Sequence, residues 1–353
     1  MANILVIRLS AIGDVAMTIP VIYSIAQENP NDRFTVLTQS FLKGLFINRP
    51  PNVDVIAINL KDSEKNLRGL IRFAWKLSKQ QSFDAVIDLH KVIRSRIIAA
   101  VFRLRGISVY TINKDREGRK RITSDNPKLR TNEVLTPMPE VYARTFQQAR
   151  LNYKPQFTSL FANEPNHLPT ITSPTLTSLL SREGAQHLIG IAPFAKHQGK
   201  IYPTDKMEQV IKLLSETRSD IKILLFGAPK GPETELMQSW EKRYNNCQVI
   251  AGKTTLSEEI AAIAHLDLLI SMDSGNMHFA SLVRTKVVSI WGATHPNAGF
   301  YGFGQDLANA IQRNDLSCRP CSIFGDRPCH RGDWACLQID PKTVVSKIEE
   351  VLG

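Results

Sequence analysis

A short apolar strand, an Asp-Ser-Gly turn and the start of a helix follow one another in a single stretch of the chain. Residues 268–271 are typical of a buried parallel strand, and helical spacing of apolar side chains begins directly after Asp273, Ser274 and Gly275. The first amides of such a helix have no partner within the helix, so they can bind a diphosphate without a cationic side chain. Asp273 would repel the same phosphates and is therefore expected to stabilise the turn. An ordinary helix cap is the alternative interpretation.

A Gly-Asp turn lies near the beginning of the sequence. Residues 3–9 are predicted to form a strand, and a run with helical spacing follows Ser10, Gly13 and Asp14. Together with Arg8, these residues match the N-terminal signature of glycosyltransferase family 9, the lipopolysaccharide heptosyltransferases, which reads Arg, Ser, a short apolar spacer and Gly-Asp. The chain therefore resembles that family at its first predicted strand and turn.

The resemblance extends to two further segments, in the family's order along the chain. The sequence Lys-Ile-Tyr-Pro that begins at Lys200 is similar to the family's Lys-x-Trp-Pro, with Tyr202 where Trp is usual. The family's C-terminal signature, Asp-(Ser/Thr)-Gly-x-x-His, is matched by Asp273, Ser274, Gly275 and His278. The resemblance therefore covers nearly the whole chain.

Strand-like runs alternate with helical runs along most of the chain, which is typical of α/β proteins with parallel sheets. The alternation stops at a stretch rich in Pro, Ser, Thr and Asn and resumes at residue 187. We therefore predict an N-terminal Rossmann-like domain over 1–165, a linker over 166–186 and a C-terminal Rossmann-like domain over 187–353. The predicted strands are 3–9, 34–38, 53–58, 83–89 and 107–111 in the first domain, and 187–192, 221–226, 248–251, 266–271 and 286–291 in the second.

The resemblance implies the GT-B fold, in which two facing Rossmann-like domains have a cleft between them. It also implies that the N-terminal domain binds the acceptor and the C-terminal domain binds the nucleotide sugar. Ligands of open α/β sheets bind beyond the carboxyl ends of the strands. Both Gly-containing turns are therefore expected at the cleft.

The composition is that of a folded protein of about two domains. The chain has 353 residues, of which 43% are hydrophobic, and a formal net charge of +11. The first residues lead directly into a predicted strand, and no run approaches the roughly 18 apolar residues of a membrane helix. We therefore expect a cytoplasmic protein.

Glycosyl transfer from a nucleotide sugar requires a base for the acceptor hydroxyl and positive groups for the departing diphosphate. The resemblance implies that Asp14 is the base of an inverting single displacement, and capping of the first helix is its alternative role. Lys200 is the predicted electrophilic partner, because a compact ammonium stabilises the departing charge. We expect no cofactor and no catalytic metal, since Lys200 and the helix amides can neutralise phosphate. The donor contacts predicted at those amides are Asp273, Ser274, Gly275, Asn276, Met277 and His278.

Two other turns that follow predicted strands are expected to contact the donor. Glu233 is the match to a carboxylate that binds the nucleotide ribose in the family. Gly292 and Thr294 belong to the sequence Gly-Ala-Thr-His-Pro, which resembles the family's Gly-x-Thr-Asp-Pro. On the acceptor side, the resemblance implies that Ser10 and Gly13 contact the substrate.

Most of the excess positive charge lies in one segment. Residues 91–130 contain twelve Lys or Arg residues and only three acidic ones. Aromatic residues interleaved with the basic ones, and the recognised folds of nucleic-acid readers, are absent, so we predict an anionic glycolipid acceptor at the cytoplasmic face of the inner membrane and no nucleic acid partner. Arg119, Lys120 and Arg121 are the candidate acceptor contacts, and a solvated surface is their alternative interpretation.

Four cysteines fall within nineteen residues near the C-terminus. Cys-x2-Cys is a common half-site of structural zinc, but the second spacing is unusual for such sites. Reduced thiols are the default in the cytosol, and structural zinc is the alternative. The residues concerned are Cys318, Cys321, Cys329 and Cys336.

These observations and the resemblance together predict an inverting glycosyltransferase. It would transfer a heptose from a nucleotide donor, in the family usually ADP-heptose, to a lipopolysaccharide inner-core acceptor. Three alternatives stay open: a transferase for another nucleotide sugar, a nucleotide-sugar epimerase of the same fold, and a non-catalytic nucleotide-sugar-binding protein. The last of these would keep the phosphate-binding turn without needing Asp14.

Overall fold

A computed structural model describes residues 1–62 and 64–353, and internal contacts divide the chain into two compact units. The first unit comprises Met1–Lys114 and Thr136–Leu160, and the second comprises Asp115–Leu135 and Phe161–Gly353. Each unit contains one parallel sheet whose strands alternate with helices along the chain. Both units are therefore Rossmann-like, as the alternating sequence pattern predicts.

The first unit is built on a five-stranded parallel sheet with the spatial order β3-β2-β1-β4-β5. β1 lies at the centre, and β4 is its neighbour. The segments that follow these two strands therefore lie side by side at the carboxyl edge of the sheet. The strands are β1 (Asn3–Ile7), β2 (Arg33–Gln39), β3 (Val53–Ile58), β4 (Ala85–Asp88) and β5 (Ser108–Thr111).

The second unit is built on a six-stranded parallel sheet with the order β11-β10-β9-β6-β7-β8. β6 and β9 are adjacent although about 75 residues separate them in the sequence, so the sheet brings remote segments together. The strands are β6 (His187–Ala192), β7 (Ile221–Leu225), β8 (Cys247–Val249), β9 (Leu268–Met272), β10 (Lys286–Trp291) and β11 (Ala310–Gln312).

Eleven α-helices occur in the described residues, and most of them connect consecutive strands. No helix in this part of the chain is both long enough and apolar enough to cross a bilayer. The helices are α1 (Ile12–Glu28), α2 (Leu67–Gln80), α3 (Ile93–Leu104), α4 (Arg116–Ile122), α5 (Met138–Gln148), α6 (Pro174–Leu180), α7 (Thr204–Thr217), α8 (Pro232–Arg243), α9 (Leu256–Ala264), α10 (Gly275–Leu282) and α11 (Pro341–Leu352).

Every predicted strand corresponds to an observed one. β3, β6 and β10 have the predicted bounds, and each of the other predicted strands differs at one or both ends by one or two residues. The sequence analysis did not predict β11, which is a three-residue strand at the edge of its sheet. Three residues are too few to show an alternating pattern.

The sequence analysis places residues 115–135 in the first domain, and the structure corrects this. The Arg130 guanidinium donates to the carbonyl oxygen of Arg319 at 2.8 Å, and the Leu135 amide donates to the carbonyl oxygen of Asn297 at 2.8 Å. These long-range hydrogen bonds join the segment to the second unit. Nothing in the local sequence pattern reveals such contacts.

The predicted linker, residues 166–186, is also part of the second unit. It contains α6, whose Leu176 and Leu179 side chains are buried. Just after α6, Arg182 forms an ion pair with Asp267 at 2.7 Å. The segment is therefore packed structure rather than a simple tether.

Candidate active site

Four predicted donor segments follow four adjacent strands of the second sheet. β10, β9, β6 and β7 neighbour one another in that order and are all parallel, so their carboxyl ends share one edge. Gly292 and Thr294 follow β10, Asp273 follows β9, Lys200 follows β6 and Glu233 follows β7. This edge is where open α/β sheets bind their ligands.

Lys200 and Asp273 form an ion pair at this edge. The Lys200 Nζ atom lies 2.8 Å from Oδ2 of Asp273, and the side chains are 15% and 6% exposed. The sequence analysis expected Asp273 to stabilise its own turn, whereas the structure shows it pairing with Lys200. A buried carboxylate without a cation would be costly, so each charge holds the other in place. The ammonium has three N–H donors and therefore keeps donors for a ligand.

The N-terminus of α10 lies directly after Asp273. Within the described chain, the Ser274 side chain makes no capping hydrogen bond to α10, and its hydroxyl lies 3.1 Å from that of Ser271. The Ser274 side chain therefore does not cap the helix, as the alternative interpretation would require. Ser274, Gly275 and Asn276 are half-exposed, and the first-turn amides have no acceptor within the helix. The side chains of the next two residues, Met277 and His278, are buried and anchor the helix.

Close packing around two glycines holds the short turn Gln198–Lys200 in place. The Gly199 amide donates to the carbonyl oxygen of Gly325 at 3.2 Å, and the Gly199 carbonyl accepts from the Ala293 amide at 2.7 Å. A Cβ atom on Gly199 would lie 2.8 Å from the Gly325 oxygen, and one on Gly325 would lie 2.6 Å from Cγ of Lys200. At these distances a side chain at either position would require the neighbouring groups to shift. Because both residues are glycines, neighbouring loops can pack closely against the turn that contains Lys200.

Arg319 organises the turn after β10, and sequence reasoning missed it. Its buried guanidinium donates to the carbonyl oxygens of Gly292 at 2.5 Å, Thr294 at 2.9 Å and Trp291 at 3.2 Å. In the sequence the arginine lies between Cys318 and Cys321. An arginine in an otherwise neutral stretch was the available signal.

His295 occupies the position where the family usually has Asp. Its Nδ1 atom accepts from the Asn297 amide at 3.0 Å and so caps the short helical turn Pro296–Ala298. Burial and the nearby Arg319 cation lower the pKa of His295 to about 4, so the ring is neutral and can accept. Histidine thus performs the capping that an aspartate side chain performs elsewhere.

Glu233 lies in the first turn of α8 and is half-buried. The turn that precedes it is closed by the Thr234 hydroxyl, which donates to the carbonyl oxygen of Ala228 at 2.6 Å. A carboxylate in the first turn of a helix is stabilised by the helix dipole. Glu233 is therefore positioned at the same sheet edge as Lys200, as the sequence predicts.

In the first unit, both carboxylate oxygens of Asp14 have partners. Oδ1 lies 2.7 Å from NH2 of Arg8, and Oδ2 accepts from the Ala11 amide at 3.2 Å. Asp14 is the third residue of α1 and not its N-cap, which is Ala11, and its carboxylate accepts from the amide of that N-cap residue. This contact is compatible with a role as base, because the side chain is 20% exposed. Ser10 and Gly13, the predicted acceptor contacts, are half-buried beside it.

Arg8 is the buried cation that holds Asp14. Its NH1 group donates to the carbonyl oxygen of Leu89 at 2.7 Å, and its guanidinium lies 5.7 Å from the centre of the Tyr142 ring. Burial opposes the charge on Arg8, but the pairing with Asp14 raises its pKa above the usual value. The Asp14 carboxylate therefore has a permanent positive partner.

His90 is a second residue that sequence reasoning missed. It follows β4, and its ring nitrogens lie 3.4 Å from the Leu9 amide and 3.5 Å from the Ser10 hydroxyl. Burial and the Arg8 cation lower the pKa of His90 to about 3, so the imidazole is neutral. Its position at the end of a predicted strand was the signal that could have identified it.

Arg119, Lys120 and Arg121 lie on α4, which belongs to the second unit and not to the first. Arg121 forms two hydrogen bonds with Glu133, at 2.7 and 3.0 Å. Lys120 lies 3.4 Å from Glu117. The Arg119 guanidinium lies 5.1 Å from the centre of the Phe300 ring. Local acidic residues therefore offset part of this segment's charge.

The four clustered cysteines are free thiols. Burial raises the pKa of Cys321, and it raises that of Cys336 to about 11. In residues 1–62 and 64–353, no three His, Cys, Asp or Glu side chains are grouped so that they could hold a metal ion. These residues therefore contain no set of ligands for the structural zinc that the sequence analysis gave as the alternative. The observed role of the segment is to pack Gly325 against the turn that carries Lys200.

The chain has two Rossmann-like units, and one sheet edge holds an ion-paired lysine beside a helix N-terminus. This combination is typical of proteins that bind a nucleoside diphosphate. The profile of glycosyltransferase family 9 (heptosyltransferase) matches residues 71–326. Lipopolysaccharide heptosyltransferase 1 of Campylobacter coli is 24% identical over 364 aligned positions, which cover 99% of each chain.

Two solved structures share the fold. A glycosyl transferase of family 9 from Veillonella parvula has a TM-score of 0.73 and 19% identity, covering 99% of this chain and 97% of that one. The heptosyltransferase WaaC of Escherichia coli, solved with ADP-2-deoxy-2-fluoro heptose, has a TM-score of 0.66 and 17% identity, covering 99% of each chain. The chain belongs to glycosyltransferase family 9, the heptosyltransferase family. It is a glycosyltransferase of the GT-B fold.

Proposed function

We propose that this protein transfers a heptose from ADP-heptose to a lipopolysaccharide inner-core acceptor at the cytoplasmic face of the inner membrane. The observation that carries the proposal is the Lys200–Asp273 ion pair beside the N-terminus of α10. A cation and unpaired amides together suit a sugar diphosphate. The Escherichia coli relative was solved with an ADP sugar, and the Campylobacter coli relative is named for lipopolysaccharide, which supports this donor and acceptor.

Asp14 would start the transfer as the general base. It accepts the proton of the acceptor hydroxyl, and that oxygen forms a bond to the anomeric carbon while the carbon–oxygen bond to the diphosphate breaks. Attack from the opposite side inverts the anomeric configuration. Arg8 orients the carboxylate by a charge-assisted hydrogen bond. Ser10 and Gly13 would contact the acceptor next to this base.

Lys200 would stabilise the leaving group. Negative charge grows on the diphosphate as its bond to the sugar breaks, so a cation held at that position stabilises the transition state more than the ground state. Asp273 positions the ammonium, and the amides of α10 bind the same phosphates. Glu233 would bind the ribose, and Gly292 and Thr294 would complete the donor site.

The donor is tested by screening nucleotide sugars for thermal stabilisation of the protein. We expect ADP-heptose to raise the unfolding temperature more than UDP-sugars do, because a ligand that binds only the folded state stabilises it. Hits are then incubated with and without core lipid. Release of ADP that depends on the acceptor supports the transferase, whereas conversion of the sugar without acceptor would identify an epimerase.

A chelator should leave the transfer rate unchanged. Lys200 and the helix amides supply the positive charge that a divalent cation supplies in many phosphate sites. The measurement is the initial rate of ADP release with and without EDTA, with thermal unfolding as the control for integrity. Strong inhibition of a protein that stays folded would contradict metal-independent transfer.

Neutralising Arg119, Lys120 and Arg121 together should raise the KM for the acceptor. The wild-type affinity for acceptor should also fall with added salt, because exposed charges are screened over about 8 to 10 Å at ordinary ionic strength. Donor affinity, measured by ADP binding, is the control. Since α4 belongs to the second unit, a loss of donor affinity would assign the segment to the nucleotide site. If the triple variant has wild-type kinetics at low salt, these three residues are solvated surface that contacts neither substrate.

A further inference from the structure

Helix α2 of the first unit exposes a continuous stripe of large apolar side chains. Leu67, Ile71 and Trp75 are four residues apart and therefore share one side of the helix, and they are 55%, 42% and 45% exposed. A continuous apolar surface of this kind marks an interaction site more often than scattered exposed side chains do. The helix packs on its unit through a different side, formed by Leu70, Ala74 and Leu77.

A row of cations lies beside this apolar stripe. Arg68, Arg72 and Lys76 each follow a stripe residue by one position, and Lys79 extends the row at the end of the helix. All four side chains are exposed, and α2 contains no Asp or Glu. The charge of the row is therefore not offset within the helix. A shallow surface depression joins the two features and is lined by Arg68, Ile71, Arg72, Trp75, Lys76 and Lys79.

Trp75 joins the apolar stripe to the cations. The Lys79 Nζ atom lies 5.6 Å from the centre of the Trp75 ring, and the guanidinium of Arg105, at the end of α3, lies 5.8 Å from it. An exposed indole between cations has an apolar body and a polar surround, as tryptophan does at membrane–water interfaces. Arg105 carries the positive surface beyond α2 itself.

We propose that this face of α2, the apolar stripe with its cationic row, docks on the anionic phospholipid surface of a bilayer. Charge complementarity selects that occupant. A second copy of the chain would bring two cationic rows together, whereas anionic headgroups neutralise the row while the stripe enters the headgroup region. The proposal rests on the proposed function and deepens its membrane location. Docking itself needs neither donor nor acceptor.

Vesicle flotation tests the docking surface with the full chain. Wild type should float with vesicles of phosphatidylglycerol and phosphatidylcholine in equal parts, and not with phosphatidylcholine alone. Replacing the cationic row (Arg68→Gln, Arg72→Gln, Lys76→Gln, Lys79→Gln) should lower the partition coefficient by about 100-fold or more, given the usual contribution of each basic residue at an anionic surface. The matched control removes four exposed lysines elsewhere, at Lys154, Lys212, Lys242 and Lys342, and should retain binding.

A second pair of variants tests the apolar stripe. Ile71→Ser with Trp75→Ser should weaken binding, whereas Leu307→Ser, at an exposed position of the second unit, should not. Trp75 is also a reporter, because Trp240 and Trp291 are buried and Trp334 is partly buried. Anionic vesicles should shift the tryptophan emission to shorter wavelength, and Trp75→Phe should abolish the shift. Thermal unfolding of each variant confirms that it is folded.

Three results would overturn the docking surface. One is equal binding to anionic and neutral vesicles, and another is wild-type binding by the folded α2 variants. The third is concentration-dependent dimerisation that the α2 variants abolish, without any vesicle binding, which would assign the face to a second copy. Loss of vesicle binding together with normal ADP release on a dispersed acceptor would contradict only the docking surface. Vesicle binding without ADP release would contradict only the proposed function. The two proposals are therefore separately testable.

Discussion

Replacing Asp14 by Asn is expected to lower kcat by about 10²–10⁴-fold while leaving the affinity for the donor nearly unchanged. The amide cannot accept the proton of the acceptor hydroxyl, and Asp14 belongs to the unit that does not carry the predicted nucleotide site. The measurement is steady-state ADP release together with ADP binding by calorimetry. A normal kcat in this variant would mean that Asp14 only caps α1.

The contacts that Asp14 makes in the folded chain require a control for stability. In Asp14→Asn, the side-chain NH2 group would face the N–H donor of either Arg8 or the Ala11 backbone. Both of these groups donate to the carboxylate in the native chain. Some loss of stability is expected for that reason. Asp340→Asn is a matched control, because Asp340 caps α11 through a side-chain hydrogen bond to the Lys342 amide. Both variants should be folded at the assay temperature, and only Asp14→Asn should lose turnover.

Replacing Lys200 by Ala is expected to lower kcat/KM by about 10²–10³-fold and to weaken ADP binding. In the proposed mechanism the ammonium contacts a diphosphate whose charge grows as the bond breaks, so both binding and turnover should depend on it. Lys196→Ala is the matched control, since Lys196 lies four residues away and is exposed. Unchanged kinetics for Lys200→Ala would mean that Lys196, or the amides of α10 alone, stabilise the diphosphate.

The ion pair with Asp273 gives this test a second readout. Lys200→Ala leaves a carboxylate that is 6% exposed without its cation, which should cost about 3 kcal/mol of unfolding free energy. Adding Asp273→Asn removes the unpaired charge and should restore most of that stability. Activity should stay low in the double variant, because the cation for the diphosphate is still absent. Recovery of activity with stability would show that Lys200 only maintains the structure.

The position and order of ten of the eleven strands could be predicted from the sequence alone. Val53–Ile58, His187–Ala192 and Lys286–Trp291 are strands with the predicted bounds, because a short apolar run between turn residues is a local property. The turn that holds Asp273 was also located from the sequence, because a strand, a Gly-containing turn and a helix follow directly along the chain. Gly13 and Asp14, which the sequence analysis placed in a turn, lie instead in the first turn of α1. The family resemblance rests on the same local motifs.

The pairing of distant residues was decided only by the tertiary structure. Lys200 and Asp273 meet because β6 and β9 are neighbours in the sheet, and no local pattern specifies which strands pair. Arg319 was concealed for the same reason, because its partners are carbonyl oxygens that carry no sequence signal. Packing likewise placed residues 115–135 in the second unit and left the apolar stripe of α2 exposed. Helical spacing identifies an apolar stripe, but whether it is covered depends on residues far away in the chain.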